Sequence, residues 1–333
     1  MVLDALARPI VLAPMAGGPS TPELAAAVCE AGGLGFLAAG YLAPETLAEQ
    51  VAALRALTHR PFGVNVFVPG PAPAQRETYE PYVRRLAAWA AEHDLPVGEP
   101  RHDDDGYAEK IDLLLADPPA AISFTFGCPS DEVSAAVRGA GSEVWATVTC
   151  PAEAEQAAPV ADVLIAQGIE AGGHRGTFTD RDDAEAHGTL ALVELVRPRF
   201  AGGLVATGGL TSREAVAGAI AAGADAVQAG SAFLLCPEAG TSAAQREAMR
   251  AGGPTAMTRA FSGRLARGIR NAFMDEHGAH APLAYPEIHH LTAPLRREAR
   301  ARGDAASINL WAGEAYALAR AEPAADVVAR LAP

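Results

Sequence analysis

Short apolar runs alternate with longer amphipathic segments over most of the chain. Eight runs have the continuous apolar character of buried strands, at residues 9–14, 34–38, 62–68, 121–126, 144–148, 162–166, 204–207 and 224–229. Segments with helical periodicity separate them. Continuous apolar strands joined by amphipathic helices are typical of a parallel sheet covered by helices. Eight such units in about 250 residues predict an α/β fold, a (β/α)₈ TIM barrel, rather than an open doubly wound sheet.

Polar capping residues mark where helices begin. Thr21 precedes Pro22, a pair typical of an N-cap followed by the first helical residue. Thr211 and Glu214 have the spacing of a capping box, which predicts that a helix begins directly after the seventh strand. Both signals agree with the alternation of strands and helices.

Two parts of the chain depart from the strand–helix repeat. Residues 69–73 and 96–105 flank an additional helix after the third strand, which predicts an insertion at about 69–110. Beyond the eighth strand the chain is rich in arginine and proline and is predicted to be helical, without further barrel strands. We therefore predict a barrel over residues 1–236 and a helical cap or substrate region over residues 237–333 that partly packs back on the barrel.

The overall charge limits the classes of partner. The 333 residues carry a formal net charge of −14, which argues against nucleic-acid binding because phosphate recognition needs clustered lysine and arginine. No apolar run approaches the ~20 residues that span a bilayer, so no membrane segment is expected. The first residues lack the basic and apolar regions of a secretory signal, and we expect a cytoplasmic protein.

Cysteine and histidine spacings give no metal or disulfide signature. The four cysteines lie far apart without a C-x-x-C pair, which excludes the usual zinc sites. The run from His102 to Asp105 is interpreted as a solvated loop before a helix. Four later histidines are interpreted as surface residues: His277, His280, His289 and His290. No metal is therefore expected.

The most informative stretch, residues 167–178, places His174 in a glycine-dense loop directly after the sixth strand. Glycines let the backbone pass close to a ligand because no Cβ blocks the approach. A histidine there titrates near neutral pH and is suited to moving a proton. The alternative is a glycine-rich turn whose histidine only hydrogen-bonds a carbonyl. The loop alone leaves both interpretations open.

Two glycine turns follow the seventh and eighth strands. Thr207-Gly208-Gly209 leaves one strand and opens a helix, and Gln228-Ala229-Gly230-Ser231 ends the other. Free backbone N–H groups beside a serine hydroxyl make an anion cradle. Loops at these two strands are the common phosphate site of such barrels, which favours phosphate binding over turns needed only for geometry. Residues 33–38 match G-x-G-x-x-A but enter a strand instead of opening a helix, so a Rossmann interpretation is rejected.

Six motifs occur in order along the chain and together resemble the nitronate monooxygenase family. They are Ala13-Pro14-Met15-Ala16-Gly17-Gly18, Gly63-Val64-Asn65-Val66-Phe67, residues 167–178, Thr207-Gly208-Gly209, Gly230-Ser231 and Asn309-Leu310-Trp311-Ala312-Gly313. The resemblance runs from Pro9 to about Trp311, and residues 167–178 are its most specific segment. It implies a (β/α)₈ barrel that holds FMN without a covalent link, with a smaller helical substrate domain.

The resemblance also implies roles for individual residues. His174 would be the catalytic base. FMN contacts would come from Pro14, Met15, Ala16, Asn65, Gln167, Gly172, Gly173, Gly208, Gly209, Gln228, Ala229, Gly230 and Ser231. Two positions depart from the family pattern. Ser231 stands where threonine is common, which keeps the hydroxyl, and Glu314 stands where glutamine is expected, which changes the charge near the cofactor or faces solvent.

The implied reaction oxidises an alkyl nitronate with O₂ to a carbonyl compound and nitrite. A neutral nitroalkane must first lose its α-proton, a step for neutral His174, whereas protonated His174 or Arg175 would hold a preformed nitronate. The expected partners are therefore small molecules, the nitronate or nitroalkane and O₂. The oligomeric state stays open, with a homodimer among the options.

Three other functions compete with this interpretation. An FMN-dependent enoyl-acyl-carrier-protein reductase that uses NAD(P)H has a similar barrel and a similar Glu-Ala-Gly-Gly-His loop. Gln167, Arg175 and Thr177-Phe178 favour the monooxygenase. The other two candidates are a flavin-binding protein without turnover and a barrel that binds a sugar or nucleotide phosphate without flavin.

Overall fold

The fold is given by a computed structural model that describes residues 1–70, 73–182 and 184–333. The predicted proline-rich flank at 69–73 therefore lies partly outside the described residues. The strands in these ranges are β1 (Ile10–Leu12), β2 (Gly35–Ala38), β3 (Phe62–Phe67), β4 (Ala121–Thr125), β5 (Glu143–Val148), β6 (Val163–Gln167), β7 (Gly173–His174), β8 (Gly203–Thr207), β9 (Ala226–Ala229), β10 (Thr255–Thr258) and β11 (Ala266–Ile269).

Eight of these strands form one parallel sheet in the order β1-β9-β8-β6-β5-β4-β3-β2. A parallel bridge between Val11 and Leu34 joins the two edges, with Leu12 N donating to Leu34 O at 2.9 Å. The sheet therefore curls into a nearly closed barrel with all carboxyl ends on one side. The predicted (β/α)₈ fold is confirmed.

The described ranges contain the helices α1 (Pro22–Glu30), α2 (Pro44–Leu57), α3 (Arg76–Glu92), α4 (Tyr107–Ala116), α5 (Asp131–Gly139), α6 (Pro151–Ala157), α7 (Thr189–Val196), α8 (Arg213–Ala221), α9 (Ala243–Ala251), α10 (Ala272–His277), α11 (Glu287–Ala301) and α12 (Ala324–Leu331). The additional helix after the third strand is α3. It packs on α11, whereas α4 returns to the barrel and packs between α2 and α5. The last helix, α12, packs on α1 and α8 of the barrel wall.

Two apolar layers hold the barrel together. Inside it, the amino-terminal half is filled by large side chains, of which Phe36 and Trp145 are fully buried with ring centres 5.4 Å apart. An aromatic pair of this kind contributes about 0.5–1.5 kcal/mol beyond its buried area. Outside the barrel, the strands and their helices share a second apolar layer. Because side chains fill the amino-terminal half of the barrel interior, the space left inside the barrel lies towards the carboxyl ends of the strands.

The two predicted helix starts have different outcomes. Thr21 is the N-cap of α1, since its hydroxyl accepts from Leu24 N at 3.0 Å, and Pro22 is the first helical residue. The prediction of a capping box that starts at Thr211 is wrong. The chain stays extended one residue further, so Ser212 caps α8 and accepts from Ala215 N at 3.2 Å.

A small antiparallel sheet was not expected in the second half of the chain. The helices predicted beyond residue 236 are present, but β10 and β11 lie among them. β11 pairs with β7, which places Ala266 opposite His174. β7 is only two residues long and lies inside a glycine-rich loop, so it shows no strand periodicity in the sequence. It is recognised as a strand only because it pairs with β11. This pairing attaches the cap to the loop that carries the histidine.

Two of the predicted surface histidines are buried. His277 is fully buried among Trp89 and Phe273, and His289 stacks on Tyr41 with ring centres 3.9 Å apart. The segments beyond residue 236 share a second apolar core with α3, and His277 lies beside two of its members, Trp89 and Phe273. His280 is exposed, as predicted.

Candidate active site

All fourteen residues that the resemblance nominates line one cavity at the carboxyl ends of the barrel strands. They are His174, Pro14, Met15, Ala16, Asn65, Gln167, Gly172, Gly173, Gly208, Gly209, Gln228, Ala229, Gly230 and Ser231. The cap adds Trp311, Asn309 and Tyr316 to the wall, whereas Cys128, Cys150 and Glu314 do not line it. The topology thus brings together motifs that are more than 200 residues apart in sequence.

Two polar side chains, Asn65 and Gln228, line the cavity although both belong to otherwise apolar barrel strands. Asn65 Nδ2 donates to Ser123 Oγ at 2.9 Å and to Thr125 Oγ1 at 3.0 Å, which leaves Oδ1 without a partner in the described chain. Gln228 is buried, and its Nε2 has no hydrogen-bond partner among the described residues. An unpaired buried amide costs about 1–3 kcal/mol, so these groups are suited to a polar ligand that completes their hydrogen bonds.

The glycine turn after β8 is stabilised by hydrogen bonds that involve Thr189 and Glu170. Gly208 and Gly209 have φ values of 121° and 69°, which residues with a Cβ rarely adopt. Thr189 Oγ1 donates to Gly208 O at 2.8 Å, and the Glu170 carboxylate accepts from Thr189 N at 3.0 Å. Across the cavity, Ser231 Oγ accepts from Gly313 N at 2.9 Å, which leaves the serine proton free to be donated.

Gln167 organises the histidine loop. Its Oε1 accepts from Gly176 N at 2.8 Å and its Nε2 donates to His174 O at 3.1 Å. Both ends of the amide are therefore engaged with the loop, although Gln167 lines the cavity. Arg175 points away from the cavity, because its guanidinium donates to Gln167 O and Gly168 O beneath the loop. The expectation that Arg175 holds a nitronate is wrong for this geometry.

His174 lies against the cap. Its Nε2 is 2.8 Å from Ser262 Oγ, and three aromatic rings, those of Phe126, Tyr285 and Trp311, surround it with centres 5.5–5.9 Å away. Burial and the positive charges of Arg264 and Arg296 lower the pKa of His174 to about 3. The ring is therefore neutral at physiological pH.

Three arginines give this end of the cavity a positive potential. Arg264 and Arg296 are both buried and form no ion pair with a carboxylate in the described ranges; Arg296 bonds instead to Thr292 Oγ1 and Asn309 Oδ1. Burial lowers the pKa of Arg296 to about 10, so it stays charged. Arg300 lines the cavity wall, and burial lowers its pKa as well. Arg300 in the lining, and the charges of Arg264 and Arg296 close to His174, favour an anionic ligand at the cavity.

No motif or periodicity in the sequence points to the residues from the second half of the chain that surround His174. Ser262, Arg264 and Arg296 lie far from any barrel strand in sequence, and Tyr41 reaches the cavity through a left-handed φ of 68°. Glu314, where glutamine was expected, forms a half-exposed ion pair with Arg267 at 3.0 Å instead of facing the cavity.

The described residues contain neither a candidate metal site nor a membrane-spanning helix. Those residues hold no group of three or more histidine, cysteine, aspartate or glutamate side chains that could hold a metal ion. Within the same ranges, none of the helices combines the length and apolar character needed to cross a membrane.

The position of the cavity defines the protein as a TIM-barrel enzyme, because catalytic sites of such barrels lie at the carboxyl ends of the strands. A family model described as nitronate monooxygenase matches residues 2–333. A nitronate monooxygenase of Pseudomonas aeruginosa is 41% identical over 97% of this chain and 95% of its own length. The chain therefore belongs to the nitronate monooxygenase family, which consists of flavin-dependent oxidoreductases.

Solved structures agree with this assignment. The crystal structure of nitroalkane oxidase from Streptomyces ansochromogenes superposes with a TM-score of 0.96 at 47% identity, covering 99% of this chain and 96% of that one. FabK from Thermotoga maritima has a TM-score of 0.77 at 24% identity, covering 99% of this chain and 93% of that one. The second likeness supports the fold alone.

Proposed function

We propose that this chain oxidises alkyl nitronates with O₂, using FMN, and releases a carbonyl compound and nitrite. The observation that carries the proposal is the neutral His174 on the wall of a polar cavity, close to the buried Arg264 and Arg296, for which the described part of the chain supplies no ion-pair partner. The names of its relatives, a nitronate monooxygenase and a nitroalkane oxidase, support the substrate class.

The cavity fits a flavin nucleotide. The unpaired amide of Gln228 and the free Oδ1 of Asn65 offer a donor and an acceptor to a polar ring system. The backbone of Gly208 and Gly209 and the free proton of Ser231 would hold a phosphate. Bound FMN would supply the electron acceptor and the reaction with O₂.

A nitronate would be held by electrostatics at the histidine end of the cavity. Arg264 and Arg296 form no ion pair with a carboxylate in the described ranges, and Arg300 places a cation on the cavity wall. The net charge of −14 disfavours anion binding elsewhere on the surface. The local field therefore selects where an anionic substrate binds.

A neutral nitroalkane would use His174 as a base. The lone pair of a neutral imidazole accepts the α-proton, and the resulting nitronate develops its negative charge beside the arginines. The same cations disfavour the imidazolium, since they lower the pKa of His174. We therefore expect preformed nitronates to react faster than neutral nitroalkanes.

The test is a visible spectrum of the purified protein before and after anaerobic addition of a nitronate. We expect flavin bands that bleach or shift with nitronate and recover in air with release of nitrite. Flavin bands that respond only to NADH, with consumption of an enoyl thioester, would replace the proposal with an enoyl reductase. Flavin that responds to neither would indicate binding without turnover. If the protein took up no FMN, the remaining interpretation would be a barrel that binds a sugar or nucleotide phosphate without flavin.

A further inference from the structure

The hydroxyl of Ser262 occupies the only hydrogen-bonding contact that His174 Nε2 makes in the described chain. The distance between the two atoms is 2.8 Å, and Ser262 is 2% exposed. The other ring nitrogen, Nδ1, has no protein partner in the same ranges, on a residue that lines the cavity. One nitrogen thus faces the cap and the other is available to a ligand.

The surroundings of Ser262 decide which nitrogen carries the proton. Ser262 Oγ is 3.2 Å from Arg264 O and 3.4 Å from Arg264 N. The carbonyl only accepts, and it has no other donor in the described chain, so the serine hydroxyl donates its hydrogen bond to Arg264 O. Ser262 Oγ then accepts from both Arg264 N and His174 Nε2. Every group is satisfied only when Nε2 carries the imidazole proton.

The turn that presents Ser262 has little freedom. Gly263 has a φ of 77°, and a Cβ on it would lie 2.2 Å from Ala284 O. Arg175 N donates to Leu265 O at 2.8 Å, and Arg264 donates to the carbonyls of Arg175 and Thr177. These bonds fix the register between the turn and the histidine loop. The hydroxyl is therefore preorganised relative to the ring.

We propose that Ser262 is a positioning residue that holds His174 in the Nε2–H tautomer, so that Nδ1 is the atom that removes the α-proton. The inference rests on the proposed function. In this step the α C–H bond breaks, its electron pair delocalises into the nitro group, and the proton joins Nδ1. Nε2 keeps its proton and continues to donate a hydrogen bond to Ser262 Oγ, and the serine hydroxyl keeps its own proton and continues to donate a hydrogen bond to Arg264 O. No proton passes to the serine.

The first test is the tautomer itself, measured in the FMN-loaded protein by ¹⁵N NMR with labelled histidine. The His174 signals are assigned from their loss in His174→Gln. We expect Nε2 to be protonated and Nδ1 to be bare in the wild type, and this preference to be lost in Ser262→Ala. A protonated Nδ1 in the wild type would overturn the proposal. Because this readout needs no turnover, it separates the tautomer from the proposed function.

The second test compares two substrates in one protein. We expect Ser262→Ala to lower kcat/KM for a neutral nitroalkane about 10- to 100-fold, because a misplaced base loses much of its catalytic contribution. Oxidation of the preformed nitronate should change less than about threefold, since it needs no base. Ser262→Thr retains the hydroxyl and should restore the nitroalkane activity. Equal losses on both substrates, or no loss on either, would contradict the positioning role.

The two tests distinguish failure of this inference from failure of the proposed function. A bare Nδ1 in a flavoprotein that oxidises no nitronate would overturn the proposed function and, with it, the role of Nδ1 as the base. Nitronate oxidation with the opposite tautomer would leave the function intact and overturn the inference alone.

Discussion

The guanidinium carbon of Arg264 lies 3.9 Å from the centre of the Phe126 ring. Phe126 adopts a left-handed φ of 78° at the end of the fourth strand, which costs of order 1 kcal/mol for a residue with a Cβ. A desolvated cation over an aromatic face contributes about 2 kcal/mol, which offsets this cost. The ring supports the arginine without neutralising it, so the positive charge remains available to the cavity.

The position of Arg264 over Phe126 predicts what happens when the charge of Arg264 is removed. In Arg264→Gln we expect the pKa of His174 to rise, because one of the two cations that disfavour the imidazolium is gone. The KM for a nitronate should rise about tenfold through loss of the same field. An NMR titration and steady-state kinetics measure the two effects.

Two variants control for charge and for position. Arg264→Lys keeps the cation and should stay near the wild type in both measurements. Arg297→Gln removes a charge from an exposed position on the same helix as Arg296 and should change neither. If Arg264→Gln left the pKa of His174 and the KM for nitronate unchanged, the electrostatic account of the cavity would be wrong.

Removal of the histidine should separate the two substrate forms. We expect His174→Ala to retain FMN, because the proposed cofactor contacts lie on other residues. Activity on neutral nitroalkanes should fall about 10²-fold or more, whereas preformed nitronates should be affected less. The assay is nitrite release from both forms at equal flavin content. Equal loss on both would remove the proton-abstraction role and leave His174 as an anchor for the anion.

The unpaired amide of Gln228 predicts opposite changes in stability and cofactor affinity. In Gln228→Leu the free energy of unfolding of the apoprotein should rise by about 1 kcal/mol, because a buried donor without a partner is removed. FMN affinity should weaken about tenfold, since the ligand loses a hydrogen bond. Urea denaturation and flavin titration measure the two. Gln156→Leu, at an exposed position on α6, is the control that should leave affinity unchanged.

Buried histidines should make stability fall in mild acid. Burial lowers the pKa of His277 from 6.5 to about 4, while the unfolded chain keeps the ordinary value. Between these values the unfolded state binds more protons, so the free energy of unfolding decreases as pH falls from about 6.5 towards 4. His277→Phe, placed among the rings of Trp89 and Phe273, should flatten this dependence. Urea denaturation at pH 7.5, 6.0 and 5.0 measures it, and an unchanged slope would contradict the assignment.

The barrel, and the strand ends that line its cavity, could be predicted from the order of residues alone. Continuous apolar strands separated by amphipathic helices are a local pattern, and parallel topology places all their carboxyl ends on one side. For that reason His174, Asn65 and the turns at Gly208 and Ser231 could be assigned to one cavity before any coordinates. The misplaced cap at Thr211 shows the limit of such local signals, which are reliable to about one residue at a helix end.

The surroundings of His174, by contrast, could not be predicted from the order of residues. Ser262, Arg264 and Arg296 have no periodic or motif signal. The first two directly precede β11, which pairs with β7, and Arg296 comes from α11. His289 is buried because it stacks on Tyr41, far away in sequence, whereas Arg175 is turned away from the cavity by its hydrogen bonds to Gln167 O and Gly168 O. The protonation state of His174 depends on its burial and on the charges of Arg264 and Arg296, which are neighbours in space and not in sequence.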